Sequence, residues 1–116
     1  MRGDLLAVQR NQVEFFADPL VMRALPGLLD EAARDTTLGS QLFDAFVTPR
    51  RRSTARALER AVQRGDIPGA FDTEWICDLL TGPLLMRAIL PTGPIDENLA
   101  QLTVNAALGV LGVVSD

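Results

Sequence analysis

The chain has no histidine, no lysine and no tyrosine, and only one cysteine (Cys77) and one tryptophan (Trp75). Each absence removes a class of chemistry. Without histidine the usual general base near neutral pH is missing, and without lysine no Schiff base can form. One cysteine and no histidine leave no recognisable zinc set, and no carboxylate pair stands out for acid–base work. The chain is therefore not read as an enzyme, and no cofactor or metal is implied. A single cysteine also excludes an internal disulfide, so a reducing cytoplasm is the expected compartment. The opening residues, which include Asp4, hold no long apolar run of the kind a signal peptide needs. The longest apolar stretches are interrupted by Asp78, Arg87 and the Gly82–Pro83 pair, so no membrane span is expected.

The 116 residues present amount to one domain, with 47% hydrophobic residues for a core. Eleven arginines against 15 acidic residues leave a net charge of −4, which makes the domain as a whole a poor binder of polyanions. Glycine and proline punctuate the chain at helix ends, strand alternation is absent, and six helices are predicted. The first covers about 3–17 and begins without a cap, as a segment cut from a longer chain would. The second starts with Asp18 as cap and Pro19 in the first turn. Its apolar stripe is Val21, Leu25, Leu28, Leu29 and Ala32, and Pro26 is expected to kink or break it. A short third helix is capped by Thr36 or Thr37, with Leu38, Leu42, Phe43, Phe46 and Val47 inward. The fourth is capped by Thr48, has Pro49 in its first turn, and stops at Gly65 in the left-handed conformation. The fifth runs from Asp72 or Thr73 to Leu90, with a break at Gly82–Pro83. The sixth is capped by Asp96 and runs to about Val114.

The last two helices are apolar nearly all round, and the stretch Ala106 to Val114 carries no charge. Such helices must be covered nearly all round. A six-helix domain cannot easily enclose two terminal helices, and the simplest cover is a second copy of the same pair across a two-fold axis. The expected architecture is thus an all-α six-helix bundle, one domain over 1–116, whose last two helices build a four-helix-bundle homodimer interface. Its candidate contacts are Leu84, Ile89, Leu99, Leu102, Ala106, Gly109, Val110 and Val113. The competing reading buries the two helices as a hairpin within one monomer.

The segment Ala61-Val62-Gln63-Arg64-Gly65-Asp66-Ile67 resembles the "RA-x-x-RGE-[IL]" turn of TetR-family C-terminal domains, with Asp66 for the commoner Glu. Asp72-Thr73-Glu74 and the run Leu79-Leu80-Thr81-Gly82-Pro83-Leu84-Leu85-Met86-Arg87 resemble that family's "D-x-x-x-x-x-D-x-L-x-GPL-x-x-R" helix, and Arg50-Arg51-Arg52 after Pro49 is similar too. The resemblance covers essentially the whole chain. It implies a regulator whose helical core binds a small effector and dimerises through its last two helices. Effector binding would alter the spacing of two DNA-reading heads, the shift passing through the first helix. Nothing before Gly3 could form the three-helix head, so DNA would be reached only through a helix-turn-helix that this sequence lacks.

Candidate effector contacts are Leu25, Leu28, Phe43, Phe46, Trp75, Leu79, Met86 and Arg87, lining a pocket formed by the second to fifth helices and suited to a small, largely apolar ligand. Alternatively these side chains fill the core, and the domain is a purely structural dimerisation module. Arg87 either anchors a polar effector or pairs with a carboxylate across the bundle. Arg52, Arg56, Arg60 and Arg64 share one side of the fourth helix. With Arg50 and Arg51 they either touch the head or phosphates, or form a solvated face paired with acidic neighbours such as Glu59. Cys77 reads as a small core residue.

Overall fold

The computed structural model describes residues 1–113, except that nothing is said of the Phe43 side chain; Phe43 as a contact and Val114 as a helix end lie outside the described residues. Among the described residues all regular structure is helical. The helices are α1 (Arg2–Ala17), α2 (Pro19–Arg34), α3 (Thr36–Leu42), α4 (Thr48–Gln63), α5 (Thr73–Ile89) and α6 (Glu97–Val110).

The expected six separate helices become five continuous ones, because a π-helical turn over Phe43–Val47 joins α3 to α4 without a break. The Thr48-Pro49 signal does not start a helix here. Inside a helix, Pro49 would crowd the carbonyl four residues back; widening the preceding turn to π geometry makes room. The Arg50 guanidinium donates to the Phe46 carbonyl in that turn. Pro26 and Pro83 do not break their helices either: α2 and α5 run through them.

Asp18, Asp72 and Asp96 cap α2, α5 and α6, accepting from the backbone N–H of Leu20 (2.8 Å), Trp75 (3.1 Å) and Leu99 (3.1 Å). The cap of α3 is Asp35, not Thr36 or Thr37; its carboxylate takes the N–H groups of Thr37 and Leu38. Gly65 at φ +78° stops α4, with Asp66 N–H returning to the Ala61 carbonyl at 2.9 Å. Gly112 at φ +77° does the same for α6, which therefore ends short of the expected boundary.

The core forms between α1, α4, α5 and α6, where Leu5, Leu58, Ile76, Leu80, Val104 and Leu108 are completely or almost completely enclosed. A second cluster of Phe16, Leu84, Ala88 and Leu99 continues it. α2 and α3 contribute no fully buried residue. The molecule is flat, 43 × 30 × 17 Å, with a radius of gyration of 14.9 Å, against about 13 Å for a compact chain of this length.

Candidate effector pocket and dimerisation face

One face of α1 carries Leu5, Gln9, Gln12 and Phe16, spaced four, three and four residues apart, and all four are buried. Two of them are amides, and burying an amide is tolerable only if its hydrogen bonds are made. Gln9 Nε2 donates to the Leu80 carbonyl at 2.6 Å and to Thr103 Oγ1 at 2.8 Å. Gln12 Nε2 donates to Gln9 Oε1 at 3.0 Å, and Gln12 Oε1 accepts from the Thr81 hydroxyl at 2.9 Å. Thr103 turns its own hydroxyl back to α6, within 2.9 Å of the Leu99 carbonyl. This chain of side chains fixes α1, α5 and α6 as a unit, and among the described residues no buried side-chain polar atom is left without a partner.

Thr81 stands at the inner end of that chain and also on the wall of a cavity of about 510 Å³. The other walls are Phe15 and Phe16 at the end of α1, the apolar stripe of α2, Gly39 and Leu42 of α3, Phe46 and Val47 of the π turn, Arg50 and Arg51 of α4, and Leu85 of α5. α2 is amphipathic, yet its stripe is only partly covered: Leu28 and Leu29 remain 41% and 42% exposed. Its apolar face borders the cavity, and Leu25 also packs on the Phe16 cluster. The cavity lies in the size range of small-molecule sites, about 300–1,000 Å³, and shares their composition, apolar walls with few polar groups.

The two wall arginines differ. Arg51 is held between Glu74 and Asp78. Burial pulls its pKa down, but the hydrogen bond and charge of Asp78 outweigh this and leave it raised. Arg50 lies over the Phe15 ring, 3.9 Å from its centroid, with no carboxylate within ion-pair distance among the described residues. Desolvation alone holds its guanidinium below the usual arginine range. A second hollow of about 440 Å³, between α1 and α4, is more polar and includes Asp4, Arg50 and Arg60.

Of the expected effector contacts, Leu25, Leu28 and Phe46 line the cavity, but Trp75, Leu79, Met86 and Arg87 do not. Leu79 packs on the core. Arg87 donates to the Pro94 carbonyl at 2.9 Å, a backbone partner and not the carboxylate anticipated. Trp75 and Met86 face outward on α5, 50% and 53% exposed. They share that side with Ile89 of α5 and with Leu90 just after it, while α6 leaves Leu102, Ala106, Gly109 and Val110 exposed. The last four sit at positions i, i+4, i+7 and i+8, an uncovered helical strip. Of the expected dimer contacts, Leu84 and Leu99 are placed instead in the chain's own core, and Val113 is half-buried against it. Pocket residues that the sequence reading missed include Phe15, Leu20, Thr81 and Leu85; the Phe15–Phe16 pair beside the Asp18 cap was the available signal.

Arg51, Arg60 and Arg64 find acidic partners, and none of these is Glu59. Arg64 bonds Asp4 and Asp66 at 3.0 Å, and Arg60 lies 4.0 Å from Asp4. Cys77 is buried, and burial pushes its thiol pKa up, which suits a packing role. Among the described residues no group of three metal-ligating side chains occurs, and no helix is long and apolar enough to cross a membrane.

The described residues thus form a helical domain with an apolar cavity on one side and uncovered apolar strips on α5 and α6. Residues 1–107 match the family model described as "Tetracyclin repressor-like, C-terminal domain", and the chain belongs to that family. It is similar to an uncharacterized HTH-type transcriptional regulator of Mycobacterium bovis and to its counterparts in two strains of Mycobacterium tuberculosis, each 33% identical over 78 residues. Those matches cover 67% of this chain and 39% of each relative, so the chain spans about two-fifths of the length of the curated relatives it matches. No solved structure matches it. The chain is thus a domain of the tetracyclin-repressor-like C-terminal family, similar to part of proteins named as HTH-type transcriptional regulators.

Proposed function

We propose that the chain is the effector-sensing and dimerising domain of a cytoplasmic TetR-type transcriptional regulator. The observation that carries this reading is the cavity of about 510 Å³ beneath α2, bordered by an apolar stripe that the core does not cover. A purely structural module would fill that space with side chains. The effector is a small, largely apolar molecule, since the walls offer hydrocarbon from α1, α2, α3, the π turn and α5. The mechanism is a population shift: a bound effector gives α2, α3 and the π turn an apolar surface to close on. Their movement is passed to the DNA-binding head through α1, whose Phe15 and Phe16 stand in the cavity wall. DNA contact falls to a helix-turn-helix unit of the kind named in the relatives.

The dimer reading is supported by the exposed strips on α5 and α6. Side chains such as Leu102, 51% exposed, and Val110, 54% exposed, would be costly to leave in water over so long a strip. Light scattering should give about twice the protomer's 12.6 kDa, and Leu102→Glu should return the monomer. A wild-type monomer at tens of micromolar would overturn the dimer. For the pocket, titration with 1-naphthol followed by amide NMR should give saturable shifts confined to the end of α1, α2, α3 and the π turn. Unsaturable shifts spread over the surface would overturn the effector reading.

A further inference from the structure

Arg50 is a cation on the wall of an apolar cavity, and no carboxylate among the described residues pairs with it. It lines the cavity with Phe15, Phe46 and Leu25, and no carboxylate belongs to that wall. Its neighbour shows what a satisfied arginine looks like here: Arg51 is clamped by two acids from α5. What Arg50 has instead is a ring face, 3.9 Å away, and one backbone carbonyl from the π turn. A guanidinium offers five N–H donors in a planar fork matched to a carboxylate, and a half-buried cation without a counter-charge is costly. Arg50 also borders the second hollow, where the acid is Asp4, itself held by Arg64 at 3.0 Å.

We infer that the effector is an amphiphilic monoanion, an apolar body bearing one carboxylate, with Arg50 as the group that reads the charge. This rests on the cavity being the effector site. The apolar body lies against the α2 stripe and the Phe15–Phe16 pair, while the carboxylate accepts from the Arg50 fork. The ring of Phe15 holds the guanidinium flat and limits its rotamers, so little entropy is lost when the anion docks. Phe46 comes from the same turn whose carbonyl Arg50 already holds, so anion binding and π-turn geometry are linked through one side chain.

The test compares decanoate with 1-decanol, equal in chain length and different in charge, by calorimetry at constant pH and salt. The expected result is roughly tenfold or more tighter binding of decanoate, the scale of one charge-assisted contact. Arg50→Gln should bring decanoate down to the level of decanol and leave decanol nearly unchanged, which also shows that the variant is folded. Arg50→Lys should keep part of the preference. Equal binding of the two compounds to the wild type, or a preference that survives Arg50→Gln and disappears in Arg51→Gln, would overturn the assignment while leaving the pocket intact. If neither compound binds and 1-naphthol also fails, the pocket reading falls and this inference falls with it.

Discussion

Two halves of this molecule are built from similar residues and packed to different ends. In the α1–α4–α5–α6 half, leucines such as Leu5, Leu80 and Leu84 have no solvent exposure. In the α2–α3 half, the leucines of α2 keep a large part of their surface, 69% for Leu20. The difference is not one of hydrophobicity, since α2 has a well-formed apolar stripe. It lies in what the stripe meets. The first half meets itself across a polar network anchored on Gln9, and the second meets a cavity. A domain that must stay folded without its ligand and yet respond to it can divide the two tasks in this way: stability in one half, unfilled apolar surface in the other.

The two halves differ most in what the loss of a single leucine does to each. Leu80→Ala removes an enclosed side chain at the meeting of α1, α5 and α6, and should cost about 2–5 kcal/mol, a large part of the roughly 5–15 kcal/mol that holds a domain of this size. Leu28→Ala, in the cavity wall, should cost about 1 kcal/mol or less and weaken 1-naphthol binding instead. Urea unfolding of both variants measures the two numbers. Equal losses would mean that the halves are one cooperative core.

A smaller effect is expected at Gln9. Gln9→Met keeps the length of the side chain and removes the amide, leaving Thr103 Oγ1 without that donor and Gln12 Nε2 without its acceptor. The expected loss is about 1–3 kcal/mol, read by the urea midpoint, with α1, α5 and α6 exchanging amide hydrogens faster and α2 unaffected. This network also marks where the sequence could be read and where it could not. The caps Asp18, Asp72 and Asp96, and the stop at Gly65, are local chemistry and were legible because each needs only its own neighbours. The turn at Arg64-Gly65-Asp66 and the run around Gly82-Pro83-Leu84 carried the family, and the family model matches. The glutamines were not legible as core, although Leu5, Gln9, Gln12 and Phe16 keep strict helical spacing, because an amide in a helix reads as surface until its partners are known. Trp75 and Met86 failed for a related reason. Their spacing of eleven residues puts them on one face of α5, but periodicity does not say whether that face meets the cavity or the outside. Thr48-Pro49 was misread because the signal for a helix start also fits a helix interior once a π turn relieves the proline.

Gly39 stands where α3 meets α2 in the less buried half. A Cβ placed there would stand 2.9 Å from the Ala32 carbonyl oxygen, so α3 can approach α2 this closely only without a side chain. Gly39→Ala must push the two helices apart. Overpacking of this kind costs about 1–3 kcal/mol where the surroundings are rigid, and less here, because α2 and α3 have no fully buried residue to hold them. The expected result is a loss near about 1 kcal/mol, with faster hydrogen exchange in α2 and α3 and a changed 1-naphthol affinity. A full-sized loss with global acceleration of exchange would show that the α2–α3 half is as tightly built as the other.

The smallest expected effect lies at the surface of the rigid half, where Arg10 of α1 holds Glu97 of α6 at 2.6 Å. The Arg10 hydrogen bond, aided by one from Gln101 and by the charge of Arg10, keeps the Glu97 carboxyl below its usual pKa. A carboxylate whose pKa is lower folded than unfolded stabilises the fold above its unfolded value and ceases to do so as pH falls through the folded one. The contribution of the pair is therefore complete at neutral pH and disappears in the acid range, below about pH 4. Because both groups are exposed, the effect is small and screened by salt. Comparing the urea midpoints of wild type and Glu97→Gln from pH 7 to pH 3 should show a slight deficit in the variant at neutral pH that closes on acidification. A deficit that persists at pH 3, or widens there, would mean that Glu97 acts through packing and not through its charge.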